Sequence, residues 1–202
     1  MDKYILKIDN SGDNKEELIV KKSKFISKVW YISSKEEAEE IIEEQRKIYA
    51  DARHVVFAYR LENVGKYTDD KEPQGTAGKP IYSLLEKENI FNVLVIVIRY
   101  FGGILLGTGP LTRAYVTAAK MVVDKNEKVE YIEYEEIETV IEYSEESSLI
   151  NKIKQENGII QDIIRDSKVQ INFKIPKENK EKFSKYLFLN CYLTKIDNTC
   201  QK

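Results

Sequence analysis

Runs of hydrophobic and β-branched residues, broken by polar turn clusters, predict how the chain begins. We expect strands at 4–8, 17–22, 24–32 and 54–61. Ser34 followed by Glu37 is a capping pair, and the apolar positions after it recur at helical spacing, which predicts a helix. Residues 91–100 are apolar on both faces as far as Arg99, as expected for a central strand covered on both sides.

The second part of the chain has a different order of elements. We predict strands ending at Tyr143 and spanning 159–165 and 168–175, helices at 144–157 and 177–189, and a last strand at 192–196. Gly158 is expected at the C′ position that ends the first of these helices. The βαββα(β) order predicts a ferredoxin-like domain. The fold class is therefore α+β, with two domains at 1–128 and 129–202.

Glycine is concentrated around the central strand. Six of the nine glycines lie in two loops beside it: Gly75, Gly78, Gly102, Gly103, Gly107 and Gly109. Such a concentration indicates positive φ or close backbone approach in both loops. We expect Pro80 and Pro110 to begin helices, with Gly109 as the N-cap of the second. Any chemistry of the protein is expected between these loops.

Composition and charge limit the class of protein. Hydrophobic residues make up 42% and charged residues 33%, as in an ordinary globular protein, and the formal net charge is −2. Residues 1–128 hold 21 Lys and Arg against 20 Asp and Glu, or +1, and the remainder holds 11 against 14, or −3. Nucleic-acid binding would therefore need a local patch. With two late cysteines, no apolar run of membrane length and no secretory start, we expect a cytoplasmic protein.

Several kinds of site are poorly supported by the residues. The chain has one histidine, His54, and two cysteines, so a zinc site of ordinary composition cannot be assembled. No G-x-S-x-G accompanies His54. The loop from Gly103 to Gly109 lacks the lysine of a P-loop and the last glycine of the dinucleotide fingerprint. We expect no cofactor and no confident metal site.

The glycine loop favours binding of an anion. It leads into a helix N-terminus, where free amides and the helix dipole attract negative charge, and cationic side chains lie on both sides. The candidate anion or nucleic-acid site comprises Arg53, His54, Lys79, Arg99, Gly107, Thr108, Gly109 and Arg113. The alternative is a tight strand-to-helix connection whose arginines pair with nearby carboxylates.

Acidic and aromatic residues in the same stretch leave further alternatives open. Asp69, Asp70 and Glu72 could bind Mg²⁺ or act as acid and base, although loop capping and salt bridging explain them more simply. His54 is better explained as a half-buried strand residue than as a base. Aromatic side chains could stack bases or belong to the core: Tyr100, Phe101 and Tyr115.

At these residues the chain resembles the IMPACT/YigZ family. The resemblance is carried by residues 22–26, 52–54, 58–60, 69–73, 75–80, 99–103, 106–109, 111 and 113–115. It implies a first domain like the second domain of ribosomal protein five of the small subunit, and a second domain like the C-terminal domain of elongation factor G. Lys71 and Pro110 depart from the family pattern, where glycine is usual, and Pro110 removes an amide donor at the proposed anion site.

Because both implied fold relatives act on or within the ribosome, the resemblance implies a role with RNA or the translation machinery. Our first hypothesis is a cytosolic regulator of translation or stress response that binds RNA, the ribosome or a translation-associated protein. The alternative is a hydrolase acting on a small phosphorylated or peptide substrate through Asp69, Asp70 and Glu72, although we favour a protein that is not an enzyme. A third is a protein-interaction module acting through the Glu-rich segment 127–146 of the second domain.

Overall fold

A computed structural model describes residues 3–10, 14–189 and 193–197. The chain divides into two compact units, Met1–Tyr131 and Ile132–Lys202. The sequence predicts this division at 128/129. The structure puts it a few residues later because the strand Glu127–Glu130 pairs with the strand Tyr4–Lys7 of the first unit.

The first unit contains seven strands and three helices among its described residues. In chain order they are β1 (Tyr4–Lys7), β2 (Lys15–Val20), β3 (Ser23–Tyr31), α1 (Lys35–Ile48), β4 (His54–Arg60), β5 (Gly65–Thr68), α2 (Gly78–Lys87), β6 (Val93–Tyr100), α3 (Thr108–Asp124) and β7 (Glu127–Glu130). Five of the strands form an antiparallel sheet in the order β2-β3-β6-β4-β5. β6 is therefore the central strand, as its sequence predicts.

Both faces of this sheet are covered, because β6 is apolar on both sides. Leu94, Ile96 and Ile98 are fully buried on the face that packs against α1. Val95 and Val97, one residue out of phase, are buried on the opposite face against α2 and α3. At the end of β6 this second face presents Arg99 instead of an aliphatic side chain, and the loop that follows leads to α3.

Local signals explain the helix ends only in part. Ser34 is the N-cap of α1, and its hydroxyl accepts a hydrogen bond from the Glu37 amide at 3.1 Å. The prediction that Gly109 caps α3 is wrong. The N-cap is Gly107, whose φ of 80° suits glycine, and its carbonyl accepts the first helical hydrogen bond from the Leu111 amide at 3.0 Å.

The second unit has the order βαββαβ. Its elements are β8 (Tyr134–Ile141), α4 (Glu146–Gln155), β9 (Ile159–Arg165), β10 (Val169–Pro176), α5 (Lys180–Leu189) and β11 (Leu193–Asp197). The strands form an antiparallel sheet in the order β11-β8-β10-β9. The predicted α+β class is thus confirmed, and the sheets are antiparallel.

The core of the second unit alternates along its strands. Ile137, Ile141, Ile171 and Phe173 are buried together with side chains of α4 and α5. The prediction that Gly158 occupies C′ of α4 is wrong by one residue. The C′ residue is Asn157, which has a left-handed φ of 56°. Gly158 follows at C″, and its amide donates to the Ile153 carbonyl at 2.8 Å, as the C″ amide does in a Schellman motif.

Candidate functional site

The loop between β5 and α2 is held in place by one carboxylate. The Asp69 side chain accepts hydrogen bonds from the amides of Gly75 at 2.7 Å, Ala77 at 3.0 Å and Gly78 at 2.8 Å. Two of these amides, those of Ala77 and Gly78, lie at the start of α2, and the side chain of the N-cap residue Ala77 makes no capping hydrogen bond. A negative charge at a helix N-terminus is also favoured by the helix dipole. Asp69 therefore closes the loop and caps α2.

Asp70 joins this loop to the start of β4. Its carboxylate accepts a hydrogen bond from the Val55 amide at 2.6 Å, and its carbonyl lies 2.7 Å from His54 Nδ1. Because a carbonyl only accepts, the histidine must carry its proton on Nδ1, which leaves Nε2 as an acceptor in the neutral ring. His54 is 8% exposed, so the single histidine is a nearly buried residue at the beginning of the strand.

A buried ion pair lies beside His54. Arg99 Nη1 donates to Glu72 Oε1 at 2.5 Å, and the two side chains are only 6% and 5% exposed. The same carboxylate oxygen accepts from the Tyr115 hydroxyl at 2.8 Å and lies 3.5 Å from His54 Nε2. Burial and the neighbouring Glu72 carboxylate raise the pKa of Tyr115 well above its ordinary value, so the hydroxyl remains a donor.

The glycine loop after β6 packs directly on the turn between β2 and β3. The Gly102 amide donates to the Ser23 hydroxyl at 3.2 Å, and a Cβ on Gly102 would overlap the main chain of Lys22. At the other end of the loop, the N-cap residue of α3 is Gly107, which has no side chain to cap the helix. The amides of Thr108 and Gly109 belong to the first turn, whose N–H groups have no partner within the helix.

These two loops and the start of α3 enclose a cavity of about 460 Å³. We call it the loop cavity. It is lined by Arg53, His54, Lys71, Glu72, Pro73, Arg99, Phe101, Leu105, Leu106, Gly107, Thr108 and Leu111. Six of the predicted site residues are therefore brought together: Arg53, His54, Glu72, Arg99, Gly107 and Thr108.

Five other predicted residues do not line the loop cavity. Asp69 and Asp70 face the main chain, as described above, and Gly109 follows the lining residue Thr108 on α3. Lys79 and Arg113 are exposed on α2 and α3. The predicted convergence of Lys79, Arg99 and Arg113 on one pocket is thus not found, because both helices turn these positions toward solvent while Arg99 is buried against Glu72.

Five lining residues are neither among the predicted site residues nor among the aromatic candidates: Lys71, Pro73, Leu105, Leu106 and Leu111. Leu105 is 86% exposed and Phe101 is 45% exposed, in a loop rather than in a helix or strand. The sequence did indicate an apolar surface here, because Ile104-Leu105-Leu106 is a short apolar run between glycines. It shows neither the helical nor the strand period that would place such side chains in a core.

Among the described residues, one of the cationic side chains around the loop cavity is paired with a carboxylate and two are not. Glu72 neutralises Arg99. Arg53 and Lys71 are exposed, and within residues 3–10, 14–189 and 193–197 neither lies within 4.0 Å of a carboxylate oxygen. Most other lysines of the first unit have such a partner, for example Lys24 with Glu17 at 2.9 Å. The rim of the cavity therefore carries local positive charge although the chain as a whole is slightly acidic.

The Glu-rich segment 127–146 spans the end of the first unit and the start of the second, and several of its carboxylates pair with lysines of the unit to which they belong. Lys177 pairs with Glu133 at 2.5 Å, and Lys180 pairs with the nearly buried Glu135 at 2.5 Å. The hypothesis that this segment docks a partner stays a prediction. Among the described residues, no group of three or more His, Cys, Asp or Glu side chains is arranged to hold a metal ion. Nor does that part of the chain include a helix long and apolar enough to cross a membrane.

Together the fold and the loop cavity define an α+β protein of two units, the first of which carries a small cationic and apolar site. The model of the Impact N-terminal domain matches residues 21–123, which is half of the chain. The chain therefore belongs to the Impact N-terminal domain family, and the predicted resemblance to IMPACT/YigZ proteins is confirmed.

Relatives match the chain to different extents. It is 29% identical to IMPACT family member YvyE of Bacillus subtilis (strain 168) over 174 residues, 85% of this chain and 80% of that protein. It is 39% identical to IMPACT family member YigZ of Escherichia coli (strain K12) over 102 residues, 48% of this chain and 50% of that protein. A solved structure described as the crystal structure of an hypothetical protein shares the fold, with a TM-score of 0.63 at 24% identity over the whole of both chains.

Proposed function

We propose that this protein regulates translation by binding RNA, alone or within the ribosome, through the loop cavity of its first unit. Membership of the Impact N-terminal domain family supports a role in translation. The expected likeness of the two units to a ribosomal-protein domain and an elongation-factor domain belongs to the same proposal, as does a cytoplasmic location. A role in a stress response would follow from such regulation.

The observation that carries the proposal is the pair of cations at the rim. Arg53 and Lys71 have no carboxylate partner in the described part of the chain, and they border a cavity that also presents the exposed Phe101 ring. Cations that contact phosphates and an aromatic face on which a base stacks are the two components of single-strand recognition.

The hydrolase alternative receives no support from the site. Asp69 and Asp70 accept hydrogen bonds from main-chain amides, and Glu72 is held by Arg99 and Tyr115. A carboxylate acting as acid or base needs access to a substrate proton, which these contacts restrict. We therefore retain the binding function as the one that the geometry favours.

The test is co-sedimentation of the full chain with ribosomes, and filter binding to single-stranded RNA, at two or more salt concentrations. The double variant Arg53→Ala/Lys71→Ala should weaken binding and lower the slope of log K against log salt by about 0.7 for each phosphate that the variant no longer neutralises. Arg46→Ala/Lys47→Ala, in the last turn of α1, removes the same charge elsewhere and should keep the wild-type slope. Equal effects of the two double variants would contradict the proposal.

A further inference from the structure

We infer that the loop cavity receives one unstacked nucleotide of an RNA strand, with the base inside and its phosphate at the N-terminus of α3. This inference rests on the proposed function, and it names the part of RNA that the site recognises.

The walls of the cavity suit a flat apolar body. Pro73, Leu106 and Leu111 line it, and Leu105 and Phe101 stand exposed at its edge. A volume of about 460 Å³ falls within the range of roughly 300–1,000 Å³ that is usual for small-molecule sites. Aromatic rings are the surfaces on which RNA-binding proteins stack unpaired bases, and apolar side chains pack against the faces of a base that has left the helix.

The start of α3 offers a place for the phosphate. Gly107 and Thr108 both line the cavity, and the N-cap residue Gly107 has no side chain to cap the helix. The N–H groups of Thr108 and Gly109 therefore remain available, and the dipole of a 17-residue helix favours an anion at this end. Arg53 and Lys71 line the same cavity and supply full positive charge.

A second, independent observation concerns the inner part of the cavity. Arg99 lines the cavity, its side chain is 6% exposed, and its Nε has no hydrogen-bond partner among the described residues. A buried donor without an acceptor is costly, and its position just behind the lining of the cavity favours a ligand that presents a hydrogen-bond acceptor to the Arg99 side chain.

A peptide fits the same place less well. An extended peptide usually binds by adding a strand to a sheet edge, and the edges here are β2 and β5, neither of which lines the cavity. The strand that ends at the cavity is β6, which is already paired on both sides by β3 and β4. The cations at the rim also favour a ligand with negative charge.

The test measures binding of AMP, GMP, CMP and UMP to the full chain by calorimetry and by amide chemical shifts. Parallel titrations use the corresponding nucleosides, inorganic phosphate, and an acidic leucine-containing peptide. We expect at least one nucleotide to bind at least tenfold more tightly than its nucleoside and than phosphate, with shifts at residues 101–111. Phosphate binding as tightly as every nucleotide, or binding of the peptide alone, would overturn the inference.

Matched variants locate the two halves of the ligand. Thr108→Pro removes one amide at the first helical position, where proline is tolerated, and Thr108→Ala keeps that amide. The first should weaken nucleotide binding about tenfold or more, because hydrogen bonds to charged groups are strong, and the second should not. Leu105→Ala should weaken binding, and Ile104→Ala, which changes an exposed side chain outside the lining, should not. Equal losses within either pair would refute the placement.

The two proposals fail in different ways. If Arg53→Ala/Lys71→Ala abolishes RNA binding while no nucleotide binds, the cationic surface stands and the nucleotide cavity is refuted. If nucleotides bind as expected but ribosomes and RNA do not, the cavity stands and the proposed role in translation is refuted.

Discussion

Replacing Glu72 tests whether the buried ion pair holds the loop cavity together. Glu72→Gln keeps the shape of the side chain and removes its charge, which leaves the Arg99 guanidinium buried without a counter-ion. Removal of one partner of a buried pair usually costs about 3–5 kcal/mol of the free energy of unfolding. We expect a loss in this range, because Tyr115 and His54 also contact the same carboxylate oxygen.

The assay is urea denaturation followed by tryptophan fluorescence. The chain has a single tryptophan, Trp30, which lies in β3 of the first unit and reports on that unit alone. Glu39→Gln is the matched control, because Glu39 pairs with lysines on the surface and its loss should cost about 0–1 kcal/mol.

A double variant separates charge from packing. Glu72→Gln/Arg99→Met should cost clearly less than the sum of its two single variants, since no uncompensated charge remains. If Glu72→Gln costs no more than Glu39→Gln, or if the two losses simply add, then the ion pair does not stabilise the first unit as argued.

The remaining predictions concern the loops and the second unit. Gly102→Ala should destabilise the first unit by more than Gly103→Ala, because a Cβ on residue 102 would overlap main-chain atoms of Lys22. A Cβ on residue 103 would meet nothing within 4 Å, so the only cost there is the positive φ of 80°. The Trp30 assay checks this order, and equal losses would contradict it. Asp69→Ala, which removes three accepted hydrogen bonds, should cost about 2 kcal/mol in the same assay, and a loss within error of zero would contradict its capping role. Hydrogen bonds and attraction from Lys152 and Lys182 hold the pKa of Glu156 below its ordinary 4.5, so its stabilisation is present above that pH and is lost as pH falls through the lowered value. Urea titrations of β10 amides by NMR between pH 6 and 2 should show this loss in the wild type and a smaller one in Glu156→Gln; identical pH profiles would refute it.

The sequence predicted the parts of the fold that have a local cause. The doubly apolar run of β6, the Ser34 cap and the glycine loops each follow from the side chains present. Two features had no such signal. β5 is short and mostly exposed, so its residues show no hydrophobic alternation. β1 pairs with β7, and the two strands are separated in the sequence by almost the whole first unit, so no local pattern indicates the pairing.

The candidate site was predicted less completely than the fold. Loop composition correctly indicated where a cavity would form, but which cations line it depends on helix orientation. The buried stripe of α3 runs through Leu111, Ala114 and Ala118, and at about 100° per residue Arg113 falls outside that stripe. The helical period of the apolar residues in α3 therefore already indicated that Arg113 would point away from the core. The burial of Arg99 against Glu72, by contrast, needed the tertiary structure.

The most direct test of the central claim is to cross-link bound RNA to the full chain and identify the modified peptide. Cleavage after Arg99 and Arg113 releases the segment 100–113, which contains Phe101 and the whole glycine loop. We predict that 4-thiouridine-labelled RNA cross-links to this segment, and that Arg53→Ala/Lys71→Ala reduces its yield. Cross-links confined to the second unit, or an unchanged yield in that variant, would contradict the account.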